Sequence, residues 1–331
     1  MPESFLLLVI LIVISLAFGV ANGFNDAANA IATVISTRVL SPRIAIIMAA
    51  VLNLAGALTG IKVAETIGKG ILIPQAITLG TVLAGALAAV IWAVIATRYG
   101  MPISVTHSLV AGLAGAGIAS GGISVVVWRI LLGKVLSAVV WAPLLGFVGG
   151  FSLMAGLLWL VYKTAPERVR TLFSHLQILS SAFMAYSHGK NDGQMPMGLI
   201  ALSLMLYYHW EEFHVPWPVV IISAAAISSG TAVGGWRVIR TLGLRITTLR
   251  PIHGFVAQAS AATVIEVASN FGIPVSTTHC ISGSVMGVGA TRRLSAVRWG
   301  IAGNIVTAWV LTFPICAALG WAITKAVHLV V

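Results

Sequence analysis

Aspartate is almost missing from these 331 residues: it occurs twice, at Asp26 and Asp192. Charge of any sign is scarce, at 8%, where soluble domains carry roughly 25%. With 59% hydrophobic residues, a soluble fold is excluded. Two cysteines, Cys280 and Cys316, are too few for a disulfide framework and lack metal-site spacing. The long apolar runs do not alternate with polar residues, which excludes a transmembrane barrel. No basic stretch precedes the first run, so it does not read as a cleaved signal. Acidic residues are outnumbered 8 to 19 by basic ones, for a net charge of +11. The basic residues are scattered through short connections, which fits cytoplasmic anchoring and not nucleic-acid binding.

What the chain does have is apolar length. Segments such as 5–21, 44–61, 76–97, 218–233 and 301–323 are long enough to cross a hydrocarbon core of about 30 Å. Both aspartates lie among such runs, each directly after an asparagine, in Gly23-Phe24-Asn25-Asp26-Ala27-Ala28-Asn29-Ala30 and Gly189-Lys190-Asn191-Asp192-Gly193-Gln194. A carboxylate at membrane depth costs at least about 2.5 kcal/mol, so its default reading is functional. The motifs stand 166 positions apart. A second match follows at an offset of 172: Gly100-Met101-Pro102-Ile103-Ser104-Val105-Thr106-His107 against Gly272-Ile273-Pro274-Val275-Ser276-Thr277-Thr278-His279.

The chain therefore reads as a duplication, 1–165 and 166–331, within one integrated transmembrane domain. Charge placement makes the copies inverted. Arg38 and Arg43 follow the first motif helix, whereas its counterpart connection carries Glu211 and Glu212 and no Lys or Arg. The bias reverses at 62–70 against Arg237, Arg240, Arg245 and Arg250, and returns at Arg292, Arg293 and Arg298 against 120–124. Equivalent loops thus lie on opposite sides of the membrane, with both termini outside. The expected fold is an all-α polytopic membrane protein of two inverted-topology repeats with broken helices, about 10–12 transmembrane segments. The regions 129–162 and 299–331 read either as one long broken helix or as a helix plus a hairpin.

Inverted repeats with polar residues at the midplane point to a secondary transporter. The Pro-Ser-x-Thr-His segments read as helix starts. Ser104, Thr106, Ser276, Thr277 and Thr278 offer hydroxyls beside free backbone N–H groups, suited to a tetrahedral oxyanion. Asn25, Asp26, Asn29, Asn191, Asp192 and Gln194 offer hard oxygen ligands for Na⁺ or another hard cation, with Asp26 and Asp192 its charged pair. Glycines around each motif are expected to permit helix breaks. His107 and His279 read as supporting members of the polar cluster. Glu266 lies mid-span as a cation ligand, a proton-carrying site or a paired structural acid. Lys190 either neutralises Asp192 or touches the anion.

At these residues the chain resembles the inorganic phosphate transporter (PiT) family, over nearly its whole length. The resemblance rests on Gly23–Ala30, on Ser187-His188-Gly189-Lys190-Asn191-Asp192 and on Pro274-Val275-Ser276-Thr277-Thr278-His279. It implies phosphate as substrate with Na⁺ or H⁺, the Asn-Asp pairs as part of both sites, and a homodimer. Lys190 stands where a small residue is usual and Gln258 where Glu is frequent, departures that bear on the coupling ion. The long intracellular insertion of animal members is absent, which implies a compact prokaryotic form in the inner (cytoplasmic) membrane. The expectation is a symporter importing phosphate on a Na⁺ gradient, with no cofactor and no enzymatic activity. The alternatives are H⁺ coupling, a metal–phosphate complex, sulfate and an anion channel.

Overall fold

The chain is all-helical in a computed structural model, which describes residues 4–330. Helix α1 (Phe5–Ser36) leads into α2 (Pro42–Ala57) and α3 (Lys62–Gly70), then α4 (Leu79–Tyr99) and α5 (Val105–Gly121). The short α6 (Trp128–Ile130) runs through a π-helical turn, Leu131–Leu136, into α7 (Ser137–Val161). The series then recurs. Helices α8 (Pro166–Asp192) and α9 (Gln194–Tyr208) are followed by α10 (Trp217–Val233) and α11 (Trp236–Arg240), then α12 (Pro251–Asn270), α13 (Thr277–Ala290) and α14 (Trp299–Val330). The sharp breaks fall in the second position of each series: α2 and α3 are bent by 68°, and α10 with its continuation to Arg245 by 62°.

Packing between the two series is reciprocal. Helix α1 lies on α10 and α8 on α2, while α7 lies on α13 and α14 on α5. The close crossings need small residues, since without water helices associate by backbone approach. A Cβ at Gly23 would fall on the Ile227 carbonyl oxygen, and one at Gly189 on that of Asn53. Gly23→Val or Gly189→Val is therefore expected to push these pairs apart, at about 3 kcal/mol each for an overpacked contact. Thermal unfolding in detergent checks this; an unchanged midpoint would refute it.

The structure decides between the two readings left open for 129–162 and 299–331: the described residues of each region form one long helix and no hairpin, with Pro143 and Pro314 inside. Ser137 Oγ, bonded to the Gly133 carbonyl at 2.6 Å, adapts the first at its π turn. Among the described residues, four helices are long and apolar enough to span a membrane by length and composition alone, or six with the bent pairs. Burial separates the layers: the core window of α4 is 67% inside the protein, that of 128–161 only 17%.

Candidate functional site

The Asn-Asp motifs lie where α1 meets α8. Helix α1 runs through Asn25 and Asp26 without a break, contrary to the expectation from its glycines. Helix α8 ends at Asp192 and α9 begins at Gln194, with Gly193 still in right-handed helical geometry. Gly23 and Gly189 thus serve helix contact, and the break at the second motif is a single residue.

Asp26 and Asp192 come together, fully buried, with His188 between them. One ligand atom from each of the three lies within 4.8 Å of the others. His188 Nε2 is 3.4 Å from Asp192 Oδ2 and 4.0 Å from Asp26 Oδ2. His188 Nδ1 is 2.7 Å from Asn53 Oδ1, and the Asn53 amide N–H₂ donates to Thr231 Oγ1 at 2.8 Å. Asn53 therefore accepts from His188, placing a proton on Nδ1 and aiming Nε2 at the two carboxylates. Neither His188 Nε2 nor Asp192 Oδ2 has a hydrogen-bond partner among the described residues. Three electron-rich groups facing one point in a dry site call for a cation there.

Asp26 also meets the start of α13. Thr277 Oγ1 donates to its Oδ2 and Thr278 Oγ1 to its Oδ1, each at 3.2 Å. Asn29 donates to both threonine hydroxyls at 3.0 Å. The hydroxyls expected to face an anion thus face the carboxylate here. Ser104 and Ser276 are helix N-caps, accepting from the His107 and His279 N–H at 3.1 and 3.2 Å. Pro102 and Pro274 accordingly lie before the helices and not in their first turns. The two helix starts touch: Thr106 Oγ1 donates to the Val275 carbonyl at 3.2 Å, and the His107 and His279 rings are 4.9 Å apart. Trp309 lies against His279, the ring centroids 3.8 Å apart, so this pair packs behind the helix starts.

The asparagines repeat one arrangement. Asn25 donates to Thr97 Oγ1 at 2.6 Å. Asn191, with its amide oriented to satisfy its neighbours, accepts from Ser269 Oγ at 2.8 Å and donates to Asp192 Oδ1 and the Val275 carbonyl at 3.1 Å. Three expected ligands lie apart. Gln194 Oε1 accepts from the Val63 and Ala64 N–H at 2.8 and 3.2 Å, capping α3. Lys190 and Glu266 form an ion pair with each other, so Lys190 neutralises neither aspartate. Gln258 braces the Ala30 carbonyl at 2.6 Å and accepts from Ser180 at 3.2 Å.

His188 and Asn53 were not among the ligands expected from sequence. Their signals were there: His188 stands four residues before Asp192, on the same helix face, and Asn53 interrupts the apolar run 44–61.

Apolar helices around a buried cluster of two carboxylates and an imidazole, drawn from both halves of the chain, define a membrane transport protein. Known proteins agree. The profile of the phosphate transporter family matches residues 22–320. A probable low-affinity inorganic phosphate transporter of Rhizobium meliloti (strain 1021) is 45% identical over 86% of this chain and 85% of its own. One of the same description from Bacillus subtilis (strain 168) is 42% identical over 86% of each chain. A solved structure, the sodium-dependent phosphate transporter, superposes with a TM-score of 0.91 at 28% identity, over 99% of this chain and 100% of that one. This chain belongs to the phosphate transporter family. It is a transporter and not an enzyme, multi-pass in the inner (cytoplasmic) membrane.

Proposed function

We propose that the protein imports inorganic phosphate together with Na⁺ by alternating access around the Asp26–His188–Asp192 centre. The observation that carries this reading is the convergence of two buried carboxylates and an imidazole nitrogen within 4.8 Å. A cation seated there offsets the mutual repulsion of the acids and the desolvation of all three groups. It also gives coupling a physical basis. The Thr277 and Thr278 hydroxyls are bonded to Asp26; a cation on Asp26 competes for its oxygens and frees both hydroxyls. They then donate, with the first-turn N–H groups of α13, to a phosphate oxygen. Thr106 at α5 extends the same cradle, while Asn25 and Asn191 hold the aspartates' neighbourhood in register. Phosphate alone would face two carboxylates, so it enters only with positive charge.

The halves 1–165 and 166–331 act as inverted copies with both termini outside, a reading supported by the recurring helix order, the reciprocal packing and the alternating arginine bias of the loops. Two copies of the chain form a homodimer, which multi-angle light scattering of the detergent-solubilised protein tests.

A second reading has one observation behind it: His188 sits between the acids, where a proton on Nε2 would supply the positive charge instead. Phosphate uptake into proteoliposomes separates the two. An imposed Na⁺ gradient at fixed pH is expected to drive accumulation. Uptake indifferent to Na⁺ but driven by external acid would replace the sodium reading with the proton one.

A further inference from the structure

The two halves present matched doorways to the centre, and only one is shut. The bonds Asn25–Thr97 and Asn191–Ser269 establish the same two offsets as structural equivalences. By those offsets Phe24 corresponds to Lys190, Val94 to Glu266 and Arg98 to Asn270. In the first half Phe24, Val94, Thr97 and Arg98, with Gly234 and Arg237, line a cavity of about 540 Å³. Thr97 is the partner of Asn25, so this cavity reaches the polar centre's edge.

In the second half the equivalent place is filled. Lys190 Nζ pairs with Glu266 Oε1 and donates to Asn270 Oδ1 at 2.9 Å. The Lys190 and Glu266 side chains are only 12% and 23% exposed. Glu266 Oε2 is buried without a hydrogen-bond partner among the described residues. A half-satisfied, largely buried ion pair is a poor way to stabilise a fold, and apolar side chains of similar size do as well or better. Phe24 and Val94 occupy the same positions in the other half, so packing does not require the charges.

The loops over the two doorways are held alike and do not explain the difference. Thr241 Oγ1 donates to the Gly100 carbonyl at 3.0 Å, and Arg237 to the Arg98 carbonyl. Thr66 Oγ1 donates to the Gly272 carbonyl at 2.7 Å, and Lys62 to the Asn270 carbonyl at 2.9 Å. Each half thus clamps the other's loop. What distinguishes the second doorway is the Lys190–Glu266 pair bridging α8 and α12.

We propose that Lys190 and Glu266 form the latch of a gate over the Asn191–Ser269 doorway, closed in this structure while the Asn25–Thr97 doorway stands open. Opening the second doorway moves the end of α12 away from α8, parts the two charges and returns both to water. The latch works whichever cation couples to phosphate, because it lies outside the Asp26–His188–Asp192 centre.

Thiol accessibility in the full-length protein, purified in detergent micelles, tests this. Val94 lines the open cavity and is 56% exposed, whereas Ile265 is buried beneath the latch. The native Cys280 and Cys316 are buried, so background labelling is low. Val94→Cys is expected to react with a hydrophilic methanethiosulfonate about tenfold faster than Ile265→Cys, in proportion to the time each doorway is open. Adding Glu266→Gln, or separately Lys190→Met, is expected to raise Ile265→Cys labelling about tenfold. Exchanging the charges, Lys190→Glu with Glu266→Lys, is expected to restore protection. Equal labelling of the two cysteines, or labelling of Ile265→Cys unmoved by both neutralising variants, would overturn the latch. A raised phosphate KM in Lys190→Met with Ile265→Cys still protected would overturn it in favour of a substrate contact.

Discussion

Asp26→Asn is expected to reduce cation-coupled phosphate uptake in proteoliposomes to the level of leak, a loss of about a hundredfold or more, equivalent to roughly 2.7 kcal/mol. Asparagine matches aspartate in shape, and its carbonyl oxygen still accepts from one of the two threonine hydroxyls that bond Asp26. Fold and thermal stability are therefore expected to survive. What disappears is the negative charge. A cation in a site that excludes water needs that charge to replace its hydration, and without the cation nothing draws Thr277 and Thr278 away from residue 26. Asp192→Asn is expected to fail in the same way, since its carboxylate faces the same point through His188. A well-folded Asp26→Asn protein that keeps full cation-dependent uptake would remove Asp26 from the site.

Asn53→Leu is expected to raise the half-saturating concentration of the coupling cation by about 10- to 100-fold, the usual range for a residue that orients a ligating imidazole. Asn53 touches neither carboxylate. Its oxygen accepts from His188 Nδ1 and its amide is anchored on Thr231, so it decides which imidazole nitrogen points at the acids. Leucine keeps the branched outline, with somewhat greater bulk, and removes that instruction, leaving the ring free to turn. The maximal rate at saturating cation is expected to change by no more than a few-fold. A merely structural role would instead lower the unfolding temperature and the maximal rate together. Phosphate uptake titrated with the cation, alongside thermal unfolding, separates the two.

The sequence made the class and the centre legible because both rest on scarcity. A carboxylate inside an apolar run is costly, so the only two aspartates marked a candidate centre, and the structure brings them together. The repeated Pro-Ser-x-Thr-His segments likewise marked two helix starts that do meet. Harder to read was the direction in which each polar side chain points. Gln194 sits in the motif but caps α3, and Glu266, which the sequence left open between ligand, proton site and paired acid, pairs with Lys190. Both outcomes depend on helix rotation, which composition does not encode. His188 escaped the ligand set because its first-half equivalent is Asn22, so repetition, the strongest signal in the chain, gave it no support.

On the proposed duplication, Phe24 and Lys190 stand at corresponding places in the two halves. In a dimer of identical halves, any change at that place would be made at both doorways at once. Joining the copies into a single chain lets one doorway keep hydrocarbon while the other gains an ion pair. Such symmetry breaking cannot alter how far phosphate accumulates, since that is fixed by the driving gradient. It changes where the carrier waits between cycles, by weighting one resting conformation over its mirror. With the proposed latch in one half only, a reversible, two-faced device acquires a preferred side at rest.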